Sequence, residues 1–142
     1  MMERSLQRSP NLAWQTLVVD ANARAALKHQ TARCIWLHGT AGGETSTLAK
    51  LLEKRLHADG RHTYVLESTS DGLPVGERLA RLMEVTRHML NAGLIVIVSV
   101  PWATPTHDSL LEAHFRPGEF VDVVVDAEVD ILTYVERILA AR

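Results

Sequence analysis

Residues 34–49 read Cys34-Ile35-Trp36-Leu37-His38-Gly39-Thr40-Ala41-Gly42-Gly43-Glu44-Thr45-Ser46-Thr47-Leu48-Ala49. An apolar run leads into a glycine-rich turn, and the turn opens a helix-patterned run over residues 48–56. Strand, glycine-rich turn and helix in that order form the setting of a phosphate-binding loop, G-x-x-x-x-G-K-[ST]. In that loop backbone N–H groups cradle phosphate and the lysine reaches the β- and γ-phosphates. Counted from Gly39, the second glycine falls on Glu44, the lysine on Thr45 and the hydroxyl on Ser46. Shifted by one residue, Gly43-Glu44-Thr45 stands where Gly-Lys-Thr would be, with glutamate replacing lysine. Neither register contains a lysine. Lys50 and Lys54 lie further along the helix and read as a solvated face.

Outward from this turn, strand and helix patterns alternate. Strands are expected over 34–37, 63–66, 94–100 and 120–125. Helices are expected over 21–28, 48–56, 77–91, 106–114 and 129–139. Asp20 is positioned to cap the first helix, Gly60 to stop the second and Gly93 to close the third. The strands are continuous apolar runs rather than alternating ones, which requires cover on both faces. Strands alternating with helices build βαβ units and a parallel sheet. The expected fold is therefore a three-layer α/β domain, a parallel sheet of four recognisable strands flanked by helices. Residues 1–10 read as a disordered lead and 11–142 as one domain. The irregular stretch after the second strand, Glu67-Ser68-Thr69-Ser70-Asp71-Gly72-Leu73-Pro74-Val75-Gly76, lies where the ligand crevice of such a sheet opens.

Composition narrows the function classes. The chain has 142 residues, 46% of them hydrophobic and 23% charged, with a net charge of −2. That is an ordinary globular balance. No basic excess argues for nucleic acid or an anionic membrane. The single cysteine, Cys34, sits inside the first strand and reads as core. The seven histidines show no metal-ligand spacing. The first ten residues lack the apolar segment of a signal peptide, and no apolar run is long enough to span a bilayer. A cytoplasmic location follows as the expectation.

Several stretches carry a family resemblance. Asn11-Leu12-Ala13-Trp14, Arg24 with Leu27 and Gln30, and Trp36-Leu37-His38-Gly39 are three of them. Others are Ser46-Thr47-Leu48-Ala49, the run from Leu56 through Asp59-Gly60 to Leu66, Asn91-Ala92-Gly93-Leu94-Ile95-Val96, and Pro117-Gly118-Glu119-Phe120. Together they resemble the adenylylsulfate (APS) kinase family, P-loop kinases of sulfate assimilation. The resemblance implies an enzyme that moves the γ-phosphoryl of MgATP to the 3′-hydroxyl of adenosine 5′-phosphosulfate. It also favours the register with Thr45 in the lysine slot.

The chain departs from the family where that chemistry resides. The family loop Gly-Leu-Ser-Gly-x-Gly-Lys-Ser-Thr becomes Gly39-Thr40-Ala41-Gly42-Gly43-Glu44-Thr45-Ser46-Thr47. The Asp-Gly-Asp-Asn-x-Arg run keeps only the carboxylate of Glu67. The Arg-x-Glu-Asn-Ile-Arg-Arg stretch keeps Glu77 and Arg81. The Ile-Ser-Pro-[Phe/Tyr]-Arg substrate loop becomes Pro101-Trp102-Ala103-Thr104-Pro105. The Arg-Asp-x-Lys-Gly-Leu-Tyr segment is replaced by Tyr134-Val135-Glu136-Arg137-Ile138-Leu139-Ala140, and the domain is expected to lack the family's C-terminal portion with its further strand.

Residue roles follow with their alternatives. Thr45 brings no charge to phosphate. Glu44 brings the wrong one, and a like charge a few ångströms away costs on the order of 1–4 kcal/mol, depending on effective dielectric. A helix N-terminus favours an anion, and Glu44 can be that anion. Residues 39–47 are thus open to three roles: a helix start that binds nothing, a residual anion or nucleotide site, or a working kinase loop. Ser46 can ligate Mg²⁺ or cap the helix. Glu67 can serve as base or metal ligand, or simply end a strand. Arg81 can reach an anion or remain a surface charge. The expected function is an APS-kinase-like nucleotide- or anion-binding or regulatory domain with impaired catalysis, partnering the enzymes of sulfate activation and using ATP and Mg²⁺ if it uses either. The alternatives are an active kinase acting on APS and a structural module that oligomerises through an uncovered sheet edge.

Overall fold

Long β-branched and aliphatic runs dictate the centre of the molecule. The computed structural model describes residues 18–39, 42–68, 74–101, 114–126 and 130–140. In chain order the elements are α1 (Ala21–Leu27), β1 (Arg33–His38), α2 (Gly42–Ala58), β2 (Thr63–Glu67), α3 (Val75–Asn91), β3 (Ile95–Val100), β4 (Phe120–Val124) and α4 (Ile131–Ala140). The four strands form one parallel sheet in the order β2-β3-β1-β4. The two central strands are β1 and β3, and β3 is buried along its whole length. Their apolar continuity in the sequence reflects cover on both faces. The edge strands β2 and β4 are partly open, with Tyr64 and Val124 about half exposed.

Strand alternation sends side chains to two layers. Ile35, Leu37, Ile95 and Ile97 pack with Leu48, Leu52 and Leu56 of α2 and with Tyr134, Val135 and Ile138 of α4. Cys34, Trp36, Val96, Val98 and Val100 pack with Met83 and Leu90 of α3. The expected three-layer α/β arrangement is the observed one. Trp36 and Cys34 are fully buried, and the Lys50 and Lys54 side of α2 is exposed. Trp14 and the expected helix over 106–114 lie outside the described residues, save His114, which is in a turn.

Helix ends follow their chemistry. Asp20 caps α1 by accepting a hydrogen bond from Ala23 N at 2.8 Å. Gly93 follows α3 at φ +84°, and a Cβ there would lie 2.6 Å from Ala25 N, so only glycine lets α1 press against this turn. The same junction is held by side chains. Arg24 donates to Asn91 O at 2.8 Å, and Gln30 Nε2 donates to Gly93 O at 2.8 Å and to His62 O at 3.0 Å. Gln30 Oε1 in turn accepts from His62 N. Arg87 and Glu119 form a partly buried ion pair, Glu119 also accepts from Arg116 N, and Phe115 stacks on Phe120. Among the described residues no helix is long and apolar enough to cross a membrane.

One helix differs from its sequence pattern. The apolar periodicity of α2 starts at Leu48, yet the helix begins at Gly42. Residues 42–47 carry no apolar stripe of their own. They are helical because Thr45 packs into the core and Leu48 and Ala49 behind it anchor the turn.

Candidate functional site

The carboxyl ends of β1, β2 and β3 converge beside the start of α2, as expected for a ligand crevice in a parallel sheet. Gly39 leaves β1 buried and in close contact with the neighbouring strand. A Cβ at Gly39 would fall 2.3 Å from Val125 O, and Val125 N donates to His38 O at 2.7 Å. Glycine is required there by the approach of the chain after β4. Thr40 and Ala41 lie outside the described residues. Gly42 and Gly43 are already in helix α2, and Glu44 occupies its first turn.

The hydroxyls of the turn are turned toward strand ends. Thr45 is fully buried, and its Oγ1 accepts from Ser99 Oγ, near the end of β3, at 3.0 Å. Ser46 Oγ donates to Glu67 Oε1, at the end of β2, at 2.5 Å. Ser68 N donates to Ser99 O at 3.0 Å and ties the two strand ends together. Glu44 is partly exposed and forms no ion pair with a described residue. It is an anion at the positive end of a helix, an arrangement favourable by about 0.3–1 kcal/mol. Thr47 is exposed.

Of the residues singled out in the sequence, the fold brings together Ser46 and Glu67, and sets Glu44 and Thr45 beside them. Arg81 is exposed on α3 and forms no hydrogen bond or ion pair with that group. Residues 69–73 and 102–105, the other stretches of interest, lie outside the described residues. Sequence reasoning passed over Ser99 and the buried His38, whose Nε2 lies 2.9 Å from Asp122 Oδ1. Both are polar residues at the ends of apolar strands, and that interruption is the signal that each holds a polar partner.

Ser46 Oγ and the Glu67 carboxylate are hard oxygen donors, the type that suits Mg²⁺. They number two, and among the described residues no group of three or more His, Cys, Asp and Glu is placed to hold a metal. The side chains of the turn give a polyphosphate little to hold. They offer no ammonium, Glu44 occupies the helix start with negative charge, and the lysine-slot side chain at 45 is inside the core.

A sequence model of the family described as adenylylsulphate kinase matches residues 31–136. The chain belongs to the adenylylsulphate kinase family. Within that family it is 34% identical over 132 residues to an adenylyl-sulfate kinase of Aeromonas hydrophila subsp. hydrophila, covering 85% of this chain and 67% of that one. It is 40% identical over 137 residues to the bifunctional enzyme NodQ of Rhizobium sp. (strain N33), covering 89% of this chain. The chain spans about a fifth of that protein's length, since the match covers 21% of it. Among solved structures it resembles the Mycobacterium tuberculosis APS kinase CysC in complex with AMPPNP and APS, with a TM-score of 0.58 and 24% identity over 78% of this chain and 72% of that one. It also resembles a hexameric APS kinase from Thiobacillus denitrificans, with a TM-score of 0.56 and 19% identity over 78% of this chain and 29% of that one. At these identities the structural likeness establishes the fold.

Proposed function

We propose that this chain is a catalytically impaired member of the adenylylsulphate kinase family, acting in sulfate activation through binding and association rather than phosphoryl transfer. The observation that carries the reading is the state of position 45. Phosphoryl transfer depends on positioned positive charge around the transferring group. Here the position that the resemblance puts in the loop lysine's slot holds a threonine that is fully buried and bonded to Ser99. Glu44 adds a carboxylate beside it. The ligand class is an adenine nucleotide or adenosine 5′-phosphosulfate, held through backbone N–H groups of residues 39–47, with Arg81 on the substrate side. Ser46 and Glu67 are the groups that would face Mg²⁺, whose chemistry when bound would be to neutralise phosphate charge. The expected partner is a second copy of the chain or an enzyme of sulfate activation, in the cytoplasm.

A coupled assay with MgATP and adenosine 5′-phosphosulfate tests the reading. Turnover at or above about 1 s⁻¹, within the ordinary enzyme range, overturns it. Thermal shift with ATP, ADP, adenosine 5′-phosphosulfate and 3′-phosphoadenosine 5′-phosphosulfate identifies which nucleotide the fold retains. A second reading, a slow kinase, draws on the Ser46–Glu67 hydrogen bond, which keeps a carboxylate and a hydroxyl together at the crevice. It requires turnover that Glu67→Gln abolishes.

A further inference from the structure

The amino ends of the strands, opposite the glycine turn, enclose a second feature. A cavity of about 510 Å³ opens there, within the 300–1,000 Å³ range of small-molecule sites. Its floor is Ile35, Ile95 and Val121 from three adjacent strands, and Leu56 and Ile138 wall it from α2 and α4. The apolar surface belongs to the core: Ile35 is 3% exposed, Ile95 5% and Leu56 2%. The rim is basic. Arg33 and Arg61 line it with His29, and no aspartate or glutamate does so among the described residues.

Among the described residues neither arginine pairs with a carboxylate. The described ion pairs use His38, Arg55 and Arg87, leaving Arg33 and Arg61 without one. Arg61 is nonetheless held in place, because its Nη1 donates to His29 O at 2.7 Å. Its Nε is buried and has no hydrogen-bond partner among the described residues. Folded proteins rarely leave a buried donor in that condition. A neutral hydrocarbon in this cavity would leave the guanidinium groups uncompensated. A bare inorganic anion would leave the apolar floor wet.

We propose that this cavity binds a small amphipathic organic anion, with a carboxylate or sulfate head at Arg33 and Arg61 and an aliphatic body over Ile35, Ile95 and Ile138. The site lies at the opposite end of β1 from Gly39. Five strand steps separate Arg33 from His38, roughly 16 Å, so occupancy does not depend on the phosphate turn. It is independent of whether the chain transfers phosphate.

Isothermal titration of the full chain with sodium octanoate and sodium octyl sulfate, both below their micelle concentrations, tests the proposal. Inorganic sulfate and octanol serve as the controls for head and body. One octyl anion is expected per chain, with each control at least about tenfold weaker. Arg33→Gln and Arg61→Gln are each expected to weaken binding about tenfold, the usual effect of losing a charge-assisted hydrogen bond. Arg61→Gln also removes the bond to His29 O and could loosen the fold. Ile138→Trp therefore provides the independent check, since it fills the cavity and keeps both arginines; it is expected to abolish binding while circular dichroism shows a folded chain. Absence of binding by both octyl anions overturns the proposal. So do several equivalent anions per chain, undiminished affinity in Arg33→Gln, or octanol binding as well as octanoate. Each of those results would assign the cavity to another occupant, such as a further segment of protein.

Discussion

Restoring the missing lysine is the most direct perturbation, and the structure gives it an unexpected sign. Thr45→Lys rebuilds the family motif in the favoured register. Thr45 is 0% exposed, and its hydroxyl accepts from Ser99, itself 3% exposed. The substitution removes that hydrogen bond, about 1 kcal/mol, and leaves Ser99 short of an acceptor. It forces a longer side chain into a packed site, typically about 1–3 kcal/mol. It also asks an ammonium to leave water, an effective penalty of several kcal/mol unless it finds a partner or deprotonates. The combined loss is about 4 kcal/mol or more, against roughly 5–15 kcal/mol for a whole domain. For a chain of this size that is a fall in Tm of roughly 10–15 °C. Glu44→Lys is the matched control. That side chain is partly exposed, and a cation at the helix start costs about 0.3–1 kcal/mol, a Tm change under about 4 °C. Thermal unfolding followed by far-UV circular dichroism reads both. A Thr45→Lys protein melting within about 2 °C of the parent refutes the reasoning, as does a Glu44→Lys protein that falls as far as Thr45→Lys.

Other outcomes follow from single contacts. Glu44→Gln removes a like charge from the crevice and is expected to tighten ATP or pyrophosphate binding about fivefold or more, measured by calorimetry; equal or weaker binding removes Glu44 from the site. Gly39→Ala drives a Cβ into Val125 O at 2.3 Å and should cost about 2 kcal/mol or more in urea unfolding, with a silent outcome showing that β1 and the chain after β4 are not so close. Glu119→Gln breaks the pair with Arg87 at a site 9% exposed and is expected to cost about 2–4 kcal/mol, read by the same unfolding curve. Burial first, and then the negative charge of Glu119, push the Cys34 thiol well above its ordinary value of 9.0. The folded value is the raised one, so this contribution to stability is complete below pH 9 and declines above it as the unfolded thiol ionises. Stability measured from pH 7 to pH 10 should therefore fall more steeply in the parent than in Cys34→Ala, and identical slopes would count against a buried thiol.

The fold was readable because its causes are local. Continuous apolar runs at β1 and β3 announced two covered faces, and the strand–helix alternation announced parallel pairing. Asp20 and Gly93 marked helix ends through side-chain and backbone chemistry that needs no distant partner. The start of α2 was misjudged because Gly42 to Thr47 have no apolar period, and tertiary burial of Thr45 decided the matter. The site was legible in part. Motif position singled out Ser46 and Glu67, but nothing in the sequence says that residues 21 apart form a hydrogen bond. His38 with Asp122, 84 positions apart, and Arg87 with Glu119, 32 apart, have the same character. Pairings across strands depend on sheet order, and β2-β3-β1-β4 is not the order of the sequence. Gln30 gives the opposite lesson. It stood out as a family-like residue with no assigned task, and the structure gives it one, as a clamp between His62 and Gly93.

The inward turn of Thr45 also bears on descent. A lysine lost from an open loop can return by one substitution, and a lineage can drift out of and back into activity. If Thr45→Lys lowers stability as expected, reversion at this buried position, joined to Ser99, passes through a weakened intermediate. A lysine at 45 would also leave the Ser99 hydroxyl without the acceptor it now has. Selection for a stable fold is then enough to hold this branch of the family in its present form, whether or not any ligand is at stake.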